Sequence, residues 1–263
     1  MKQVFFRSIS DWANALRKWR LWTALAREDL SDRYRRTVLG VSWLVTSFAL
    51  FIAVYILVFG RGSGVSQAEY ALYVTIGFGL WNFISGAVGD GCVAYSASGN
   101  WILGTSIPYP AFIFQTVYRN YLVFLLNLFV IAIALLWLKS EWSPAMLWAL
   151  PGLLVYMITP LWLAAILAPL CARYRDGLHA VQTGMRLLFF ATPILWLPSQ
   201  RSQLALLAHY NPLSYFIDIV RVPLIYDAFP YTSWIVVLTI NGVGLLAGAA
   251  TYALTRHRVA YWL

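Results

Sequence analysis

Charged residues are what this sequence has fewest of. Only 11% of its 263 residues are charged, whereas a soluble domain carries about 25%, and 61% are hydrophobic. A soluble core could not hide this much apolar surface, so the composition predicts that lipid surrounds much of the chain. The sequence shows no internal repeat and no polar stretch long enough for a second domain, which favours a single transmembrane domain over 1–263.

The motifs of enzymes and nucleotide-binding proteins are missing as well. The sequence has no GxxxxGK(S/T) loop with which to bind ATP, and no HExxH, CxxC or GxSxG motif. The two cysteines, Cys92 and Cys171, lie in apolar stretches and indicate neither a disulfide framework nor a metal site. Asp176 and His179 form only a weak acid–base spacing. We therefore predict no catalytic residue, no metal and no cofactor in this chain, and no cleavable signal in its basic first segment.

Six apolar stretches have the length of membrane spans. About 20 apolar residues in a helix cross a hydrocarbon core of about 30 Å. The stretches are 38–59, 70–95, 112–138, 147–171, 178–197 and 233–254. They predict an all-α membrane protein with six transmembrane helices.

Basic residues are distributed unequally between the two sides of these spans. The side that holds both termini has thirteen of them: Lys2, Arg7, Arg17, Lys18, Arg20, Arg27, Arg33, Arg35, Arg36, Arg173, Arg175, Arg256 and Arg258. The opposite loops have four: Arg61, Lys139, Arg201 and Arg221. This asymmetry predicts that both termini are cytoplasmic. Although the net charge is +9, the basic residues sit beside apolar runs and form no soluble basic face, so nucleic-acid binding is not predicted.

Two segments outside the spans have a pattern of their own. In 8–30, one helical face carries Trp12, Ala15, Leu16, Trp19, Trp22, Thr23 and Ala26, and the other carries Asn14, Arg17, Lys18 and Arg20. This predicts an amphipathic interface helix, which is either a simple anchor or also a docking element for a cytoplasmic partner.

The connection 198–232 is apolar and aromatic with three internal prolines. It predicts short re-entrant helices, with a loop lying flat on the membrane as the alternative.

Two charges within the predicted spans are candidates for function. Asp90 lies late in the second span, and Arg186 lies about two turns into the fifth. A charge inside a membrane is energetically unfavourable, so such a residue is a functional candidate by default. For both residues, structural pairing is an alternative. For Arg186, another alternative is that the side chain extends to the membrane interface.

Aromatic residues make up 17% of the chain. Rings inside the spans either pack against neighbouring helices or offer stacking surfaces to sugars. The candidates for sugar contact are Tyr55, Phe59, Trp81, Phe83, Phe189 and Phe190.

The segment that leads into the first span resembles a known family. The stretch LAREDLSDRYRRTVLGVSW is similar to the R-D-I/L-x-x-R-Y-R/K-x-S/T-x-L-G-x-x-W signature of ABC-2-type polysaccharide export permeases, the membrane subunits of O-antigen, capsule and teichoic-acid exporters. The matching positions are Asp29, Leu30, Arg33, Tyr34, Arg35, Leu39, Gly40 and Trp43. RYRD at 173–176, FFATPILW at 189–196 and YNPLSYFIDIVRVPLI at 210–225 follow in the family's order. The resemblance covers essentially the whole chain and is closer to the O-antigen branch.

This resemblance implies a homodimeric channel in the bacterial inner membrane, with two copies of a separate P-loop ATPase that binds ATP and Mg²⁺, and a lipid-linked polysaccharide as cargo. The segment 96–110 would be a coupling helix on the ATPase, and 198–232 a periplasmic gate. The implied coupling residues are Asn100, Trp101, Arg173, Arg175 and Asp176, and the implied gate residues are Tyr210, Asn211, Pro212, Tyr215, Phe216 and Arg221.

The basic cluster Arg33, Arg35 and Arg36 has two interpretations. Either it only fixes topology, or it also holds the diphosphate headgroup of the cargo or the surface of the partner. Three other functions remain open: an ABC-2 exporter of capsule, teichoic acid, a drug or another lipid; an ion-coupled secondary transporter; and a membrane enzyme acting on lipid-linked sugars. The last two require coupled midplane charges or a clustered active site, and neither is visible in the sequence.

Overall fold

The chain is helical throughout the part that the structure describes. The computed structural model describes residues 2–35, 37–62, 64–139, 141–198 and 203–263, so Arg36 of the basic cluster lies outside the described residues. The helices are α1 Lys2–Arg17, α2 Trp19–Tyr34, α3 Ser42–Phe59, α4 Gln67–Val93, α5 Gly99–Gly104, α6 Pro110–Leu138, α7 Ala149–Arg173, α8 Gly177–Ala191, α9 Gln203–Tyr210, α10 Pro212–Tyr226, α11 Tyr231–Thr255 and α12 Val259–Trp262. The all-α prediction is confirmed.

Among the described residues, five helical segments are long and apolar enough to cross a membrane by length and composition. They are Ser42–Gly62, Gln67–Val93, Pro110–Leu138, Pro144–Arg173 and Tyr231–Thr255. The remaining predicted span, 178–197, contains α8, which has 15 residues and ends at Ala191. Pro193 explains this end, because a proline disfavours helical backbone at the residue before it and has no N–H to donate.

Helix α4 lies at the centre of the bundle. Of its most apolar stretch 78% is buried, against 17–39% in the other four membrane-length segments. It packs against α3, α6, α7, α8 and α10. Leu80 and Ile76 of α4 are fully buried, in a core completed by Phe124 of α6, Tyr156 of α7 and Ile217 of α10. Each of the helices around α4 is therefore positioned by contact with it.

The expected helix over 8–30 is divided in two at Lys18, where α1 ends and α2 begins. The Trp22 indole N–H donates to the carbonyl of Ala15 across the break, at 3.1 Å. Trp12 and Trp22 pack on Phe114 of α6, with ring centroids 5.4 and 5.5 Å apart. Leu16 and Trp19 of the predicted apolar face stay exposed. Both helices are thus attached to the bundle through α6 and leave part of the apolar face uncovered.

Helices α7 and α11 approach each other closely at two glycines. A Cβ on Gly244 would overlap the indole ring of Trp162, and one on Gly248 would lie 3.2 Å from the Trp162 Cα. The ring is held in place, because its N–H donates to the Asn241 side-chain oxygen at 2.9 Å. Small residues allow this kind of close packing between membrane helices.

We expect Gly244→Ala to destabilise the bundle by about 1–3 kcal/mol, the usual effect of overpacking. The added methyl would displace the Trp162 ring and break its bond to Asn241. Gly242→Ala on the same helix is the control, because nothing lies within 4 Å of the Cβ it would add. Thermal unfolding of the detergent-solubilised protein measures both variants, and equal melting temperatures would contradict the prediction.

Candidate functional site

A groove runs between α4 and α8. Its volume is about 460 Å³, and we call it the α4–α8 groove. The residues that line it are Trp81, Ser85, Gly89, Val181, Gln182, Met185, Arg186, Phe189 and Phe190. Four of the sequence-predicted site residues, Arg186, Trp81, Phe189 and Phe190, are thereby brought together. Within the described residues Arg186 is exposed and forms no ion pair, so it is a free cation in an aromatic and mostly apolar wall.

Aromatic side chains extend from this groove to the far end of α3. The centroid distances are 5.5 Å for Phe59–Tyr55, 4.5 Å for Tyr55–Phe51, 4.0 Å for Phe51–Phe78, 6.2 Å for Phe78–Phe189 and 5.5 Å for Phe189–Trp81. The predicted Tyr55 and Phe59 are connected to the groove through Phe51 and Phe78, which were not among the predicted site residues. We call this series the aromatic path.

Phe83 does not belong to this path. It is 4% exposed, and its ring lies 4.4 Å from Phe124 and 5.8 Å from Tyr156 in the core. The structure therefore places Phe83 in the core and away from the groove, and its contact with sugar stays a prediction. The reason for this placement is geometric, because Phe83 lies on the face of α4 that packs against α6 and α7.

The segment 178–195 runs antiparallel to α4 along nearly its whole length. Leu178 lines a cavity with Cys92 at one end of α4. At the other end, the Tyr70 hydroxyl donates to the Leu195 carbonyl and the Tyr73 hydroxyl to the Pro193 carbonyl, both at 2.9 Å. Tyr70 and Cys92 are about 33 Å apart at the helical rise of 1.5 Å per residue. Helix α8, which has 15 residues, therefore reaches from one end of α4 towards the other only together with the turn that follows it.

Buried polar contacts anchor α10 at the end of the bundle that holds the first turn of α4, which we call the α10 end. The guanidinium of Arg221 donates to the Pro193 carbonyl at 2.6 Å and to Asp218 at 2.7 Å. It also lies 3.9 Å from the Tyr73 ring centroid. Asn211 donates to the Thr192 hydroxyl at 2.7 Å. These contacts fix α10 against α4 and against the turn that follows α8.

The other predicted gate residues differ in burial. Phe216 is buried, and its carbonyl accepts from the Tyr156 hydroxyl at 2.8 Å. Pro212 begins α10, where a missing N–H is tolerated. The Tyr215 hydroxyl donates to the His209 carbonyl, whereas Tyr210 is 80% exposed. The segment therefore combines a buried, tightly bonded helix with an exposed aromatic side chain.

A charged cluster lies at the opposite end, which we call the α5 end. Arg119 of α6 contacts Asp90 of α4 at 2.9 Å and Asp29 of α2 at 3.0 Å. Arg33 of α2 approaches Asp90 at 3.6 Å. Asp90 is therefore paired with Arg119 and not with Arg186. Arg119 and Asp29 were not predicted as site residues, although Arg119 lies in a predicted span and Asp29 in the family signature.

The predicted coupling residues also lie at the α5 end. Asn100 of α5 and Arg175, just after α7, line a cavity of about 410 Å³ together with Trp262 of α12. Arg173 lies over the Trp262 ring at 5.6 Å. Trp101 on α5 is half exposed, and Asp176 precedes α8 without capping it through its side chain. Among the described residues, no group of three His, Cys, Asp or Glu side chains is arranged to hold a metal ion.

These features define a multi-pass helical membrane protein, and comparison with known proteins identifies its family. The family described as ABC-2 type transporter matches residues 20–225. Because this is more than half of the chain, the chain belongs to the ABC-2 type transporter family. The family is one of transport components, and its membership confirms the resemblance seen in the signature.

Relatives within the family are O-antigen permeases. The chain is 25% identical over 243 residues to the O-antigen export system permease protein RfbA of Klebsiella pneumoniae, with 91% of this chain and 93% of the relative covered. It is 28% identical over 179 residues to the protein of the same name from Myxococcus xanthus, with 67% of this chain and 68% of the relative covered.

We expect Arg221→Ala to destabilise the protein strongly. Removing the buried guanidinium takes away its bonds to Asp218 and to the Pro193 carbonyl, and a lost hydrogen bond to a charged group typically costs about 1.5–3 kcal/mol. Thermal unfolding in detergent measures the effect, with Arg61→Ala as the control, since Arg61 is exposed at the same end. Equal melting temperatures for the two variants would show that Arg221 does not anchor α10.

Proposed function

We propose that this chain is the membrane subunit of an ATP-driven exporter of a lipid-linked polysaccharide, with O-antigen as the cargo, in the bacterial inner membrane. Two copies form the channel, and each binds one copy of a separate P-loop ATPase, which supplies the ATP and Mg²⁺ site that this chain does not encode. Family membership and two relatives named O-antigen export permeases support this proposal.

The observation that carries the proposal is the joint presence of the aromatic path and the α4–α8 groove. Aromatic faces bind sugars of many kinds by stacking, and Gln182 and Ser85 add polar groups to the same wall. Arg186 supplies an uncompensated positive charge for an anionic group of the cargo. A hydrated glycan cannot cross lipid alone, so a continuous surface of this kind is what its export requires.

Six crossings and cytoplasmic termini complete the topology that we propose. The segment 178–195 follows α4 along its full length, which favours a sixth crossing made of α8 and the turn after it. The thirteen basic residues on the side of the termini favour a cytoplasmic α5 end. The α10 end is then periplasmic, where α9 and α10 form the gate as re-entrant helices.

The ATPase subunit would bind at the α5 end. Trp101 and Leu103 expose apolar surface on α5, and Arg175 adds a charge beside them. Arg33 and Arg35 are more than half exposed, so they are available to an anionic lipid headgroup at the cytoplasmic leaflet. Asp90 is paired with Arg119, which argues against its use as the free carboxyl of a proton-coupled transporter.

Co-purification with the ATPase encoded next to it tests the proposal, followed by an ATPase assay in liposomes with and without lipid-linked O-antigen. A two-plus-two complex whose hydrolysis responds to the glycan lipid supports it. If hydrolysis responds only to a capsule or teichoic-acid precursor, or to a drug or another lipid, the cargo is different. Transport driven by a proton gradient, without any ATPase partner, would overturn it.

Phe190→Ala should lower glycan export about 2- to 10-fold, which corresponds to the loss of about 0.5–1.5 kcal/mol of ring stacking. Phe190 lines the groove and is 73% exposed, so its removal leaves the core intact. Leu187→Ala is the matched control, because Leu187 is similarly exposed on the same helix but does not line the groove. Transport into liposomes by the reconstituted complex is the measurement, and equal losses in both variants would contradict the prediction.

A further inference from the structure

The charged cluster at the α5 end joins three helices that are distant in sequence. Asp29 and Arg33 come from α2, Asp90 from α4 and Arg119 from α6. Gln115 of α6 adds a hydrogen bond to Asp29 at 2.7 Å, and Asn120 adds one to Asp90 at 3.1 Å. The helix that carries the family signature is thus attached to the central helix through side-chain charges.

The two charges on α2 are matched in sign and spacing to their partners. Asp29 and Arg33 are four residues apart, so they lie on one helical face one turn apart. Asp29 meets the cation Arg119, and Arg33 meets the anion Asp90. Shifting α2 by one turn would place like charges opposite each other. The cluster therefore specifies a single register of α2 on α4 and α6.

Stability alone does not account for this arrangement. A buried ion pair often contributes no more than well-packed apolar side chains would, and its best-attested use is to specify a register or a switch. The side chain of Arg119 is 10% exposed, whereas that of Arg33 is 53% exposed. The network thus connects a buried cation in the bundle with an accessible one on the interface helix.

The cluster also has hydrogen-bonding capacity that it does not use. The Nε of Arg119 and the Oε1 of Gln115 are both buried, and neither has a partner. These residues are four apart on α6, which is the spacing at which helical side chains meet. A second arrangement, in which Arg119 Nε donates to Gln115 Oε1 as Asp29 moves away, would satisfy both atoms. Pairing these two buried atoms would offset part of the loss of the contacts to Asp29.

We propose that Asp29, Arg33, Asp90 and Arg119 form a coupling clasp, which transmits movement of the cytoplasmic segments to α4 and α6. This inference rests on the proposed function. The cavity of about 420 Å³ beside the cluster is lined by Asp29 and Arg119, and also by Ser98 and Trp101 of the expected coupling segment. That segment and the clasp therefore face the same cavity, so a shift of the segment changes the space beside the clasp. All four residues act here as positioning residues, and the exposed Arg33 also remains available to the anionic headgroup.

The decisive comparison uses two double variants of α2 that leave the net charge unchanged. Asp29→Asn with Arg33→Gln removes the contribution of α2 to the clasp. Glu28→Gln with Arg20→Gln removes two exposed charges of the same helix that form no ion pair among the described residues. Both variants remove one positive and one negative charge, so topology and attraction to anionic lipid are affected equally.

Each double variant is reconstituted with the ATPase, and glycan transport and ATP hydrolysis are measured together. We expect the clasp variant to hydrolyse ATP at a near-normal rate while glycan transported per ATP falls about 10-fold, within the effect expected of residues along a coupling network. The control variant should keep the normal ratio. Equal ratios in the two variants would overturn the proposal, as would a proportional fall in hydrolysis and transport.

Hydrogen exchange of the detergent-solubilised protein provides a readout that does not depend on transport. The amides of 27–34 should exchange faster in the clasp variant than in the control, whereas α7 and α11 should be unchanged. Unchanged exchange in α2 would overturn the clasp even if the wild-type complex exports glycan. Faster exchange confined to α2, in a complex that exports no glycan, would support the mechanical link and refute the proposed function.

Discussion

A polar group inside lipid has no water with which to bond, so it must find its partner in protein, and this constraint explains why α4 is the central helix. Tyr70 and Tyr73 near its start bond to carbonyls of the turn after α8, and Asp90 near its end bonds to Arg119. If these groups faced lipid, they would have no hydrogen-bond partner. Because other helices surround α4, the groups bond to those helices and hold them in place.

Because α4 is a single helix of 27 residues, the sites along it are mechanically related. Tyr73 contacts the guanidinium that anchors α10, Trp81 lines the groove, and Asp90 belongs to the charged cluster. A displacement of α4 at one end would therefore move all three residues. The ATP-driven exporter that we propose needs a link of this kind, because its ATPase would act on one side of the membrane and the cargo would leave on the other.

The parts of the fold that depend on local composition could be predicted from the sequence. The parts that depend on contacts between residues distant in sequence could not. Apolar runs of membrane length identified α3, α4, α6, α7 and α11, since the thickness of a bilayer sets a simple length requirement. Whether 178–197 makes a sixth crossing stays a prediction. The break at Lys18 was not expected, because the helical pattern of apolar residues continues across it.

The site shows the same division. Arg186 and three of the aromatic residues around it were predicted from their position within spans. Phe83 was grouped with the groove aromatics although it packs in the core, and Phe78 was not singled out. The reason is that α4 is apolar on every side, so its sequence does not show which face meets α8. The pairing of Arg119 with Asp29 joins residues 90 positions apart. No local pattern in a single sequence reports such a contact.

Three arginines within the bundle differ in how their charge is balanced, and this difference separates structure from transport. Arg119 and Arg221 are buried, and each has an aspartate within 3.0 Å. Arg186 has none among the described residues, although it lies alongside the middle of α4. An unpaired cation in low dielectric is unfavourable unless water or an anion reaches it. Because Arg186 is exposed in the groove, water or an anion can reach it, which suits the charged glycan lipid of the proposed function.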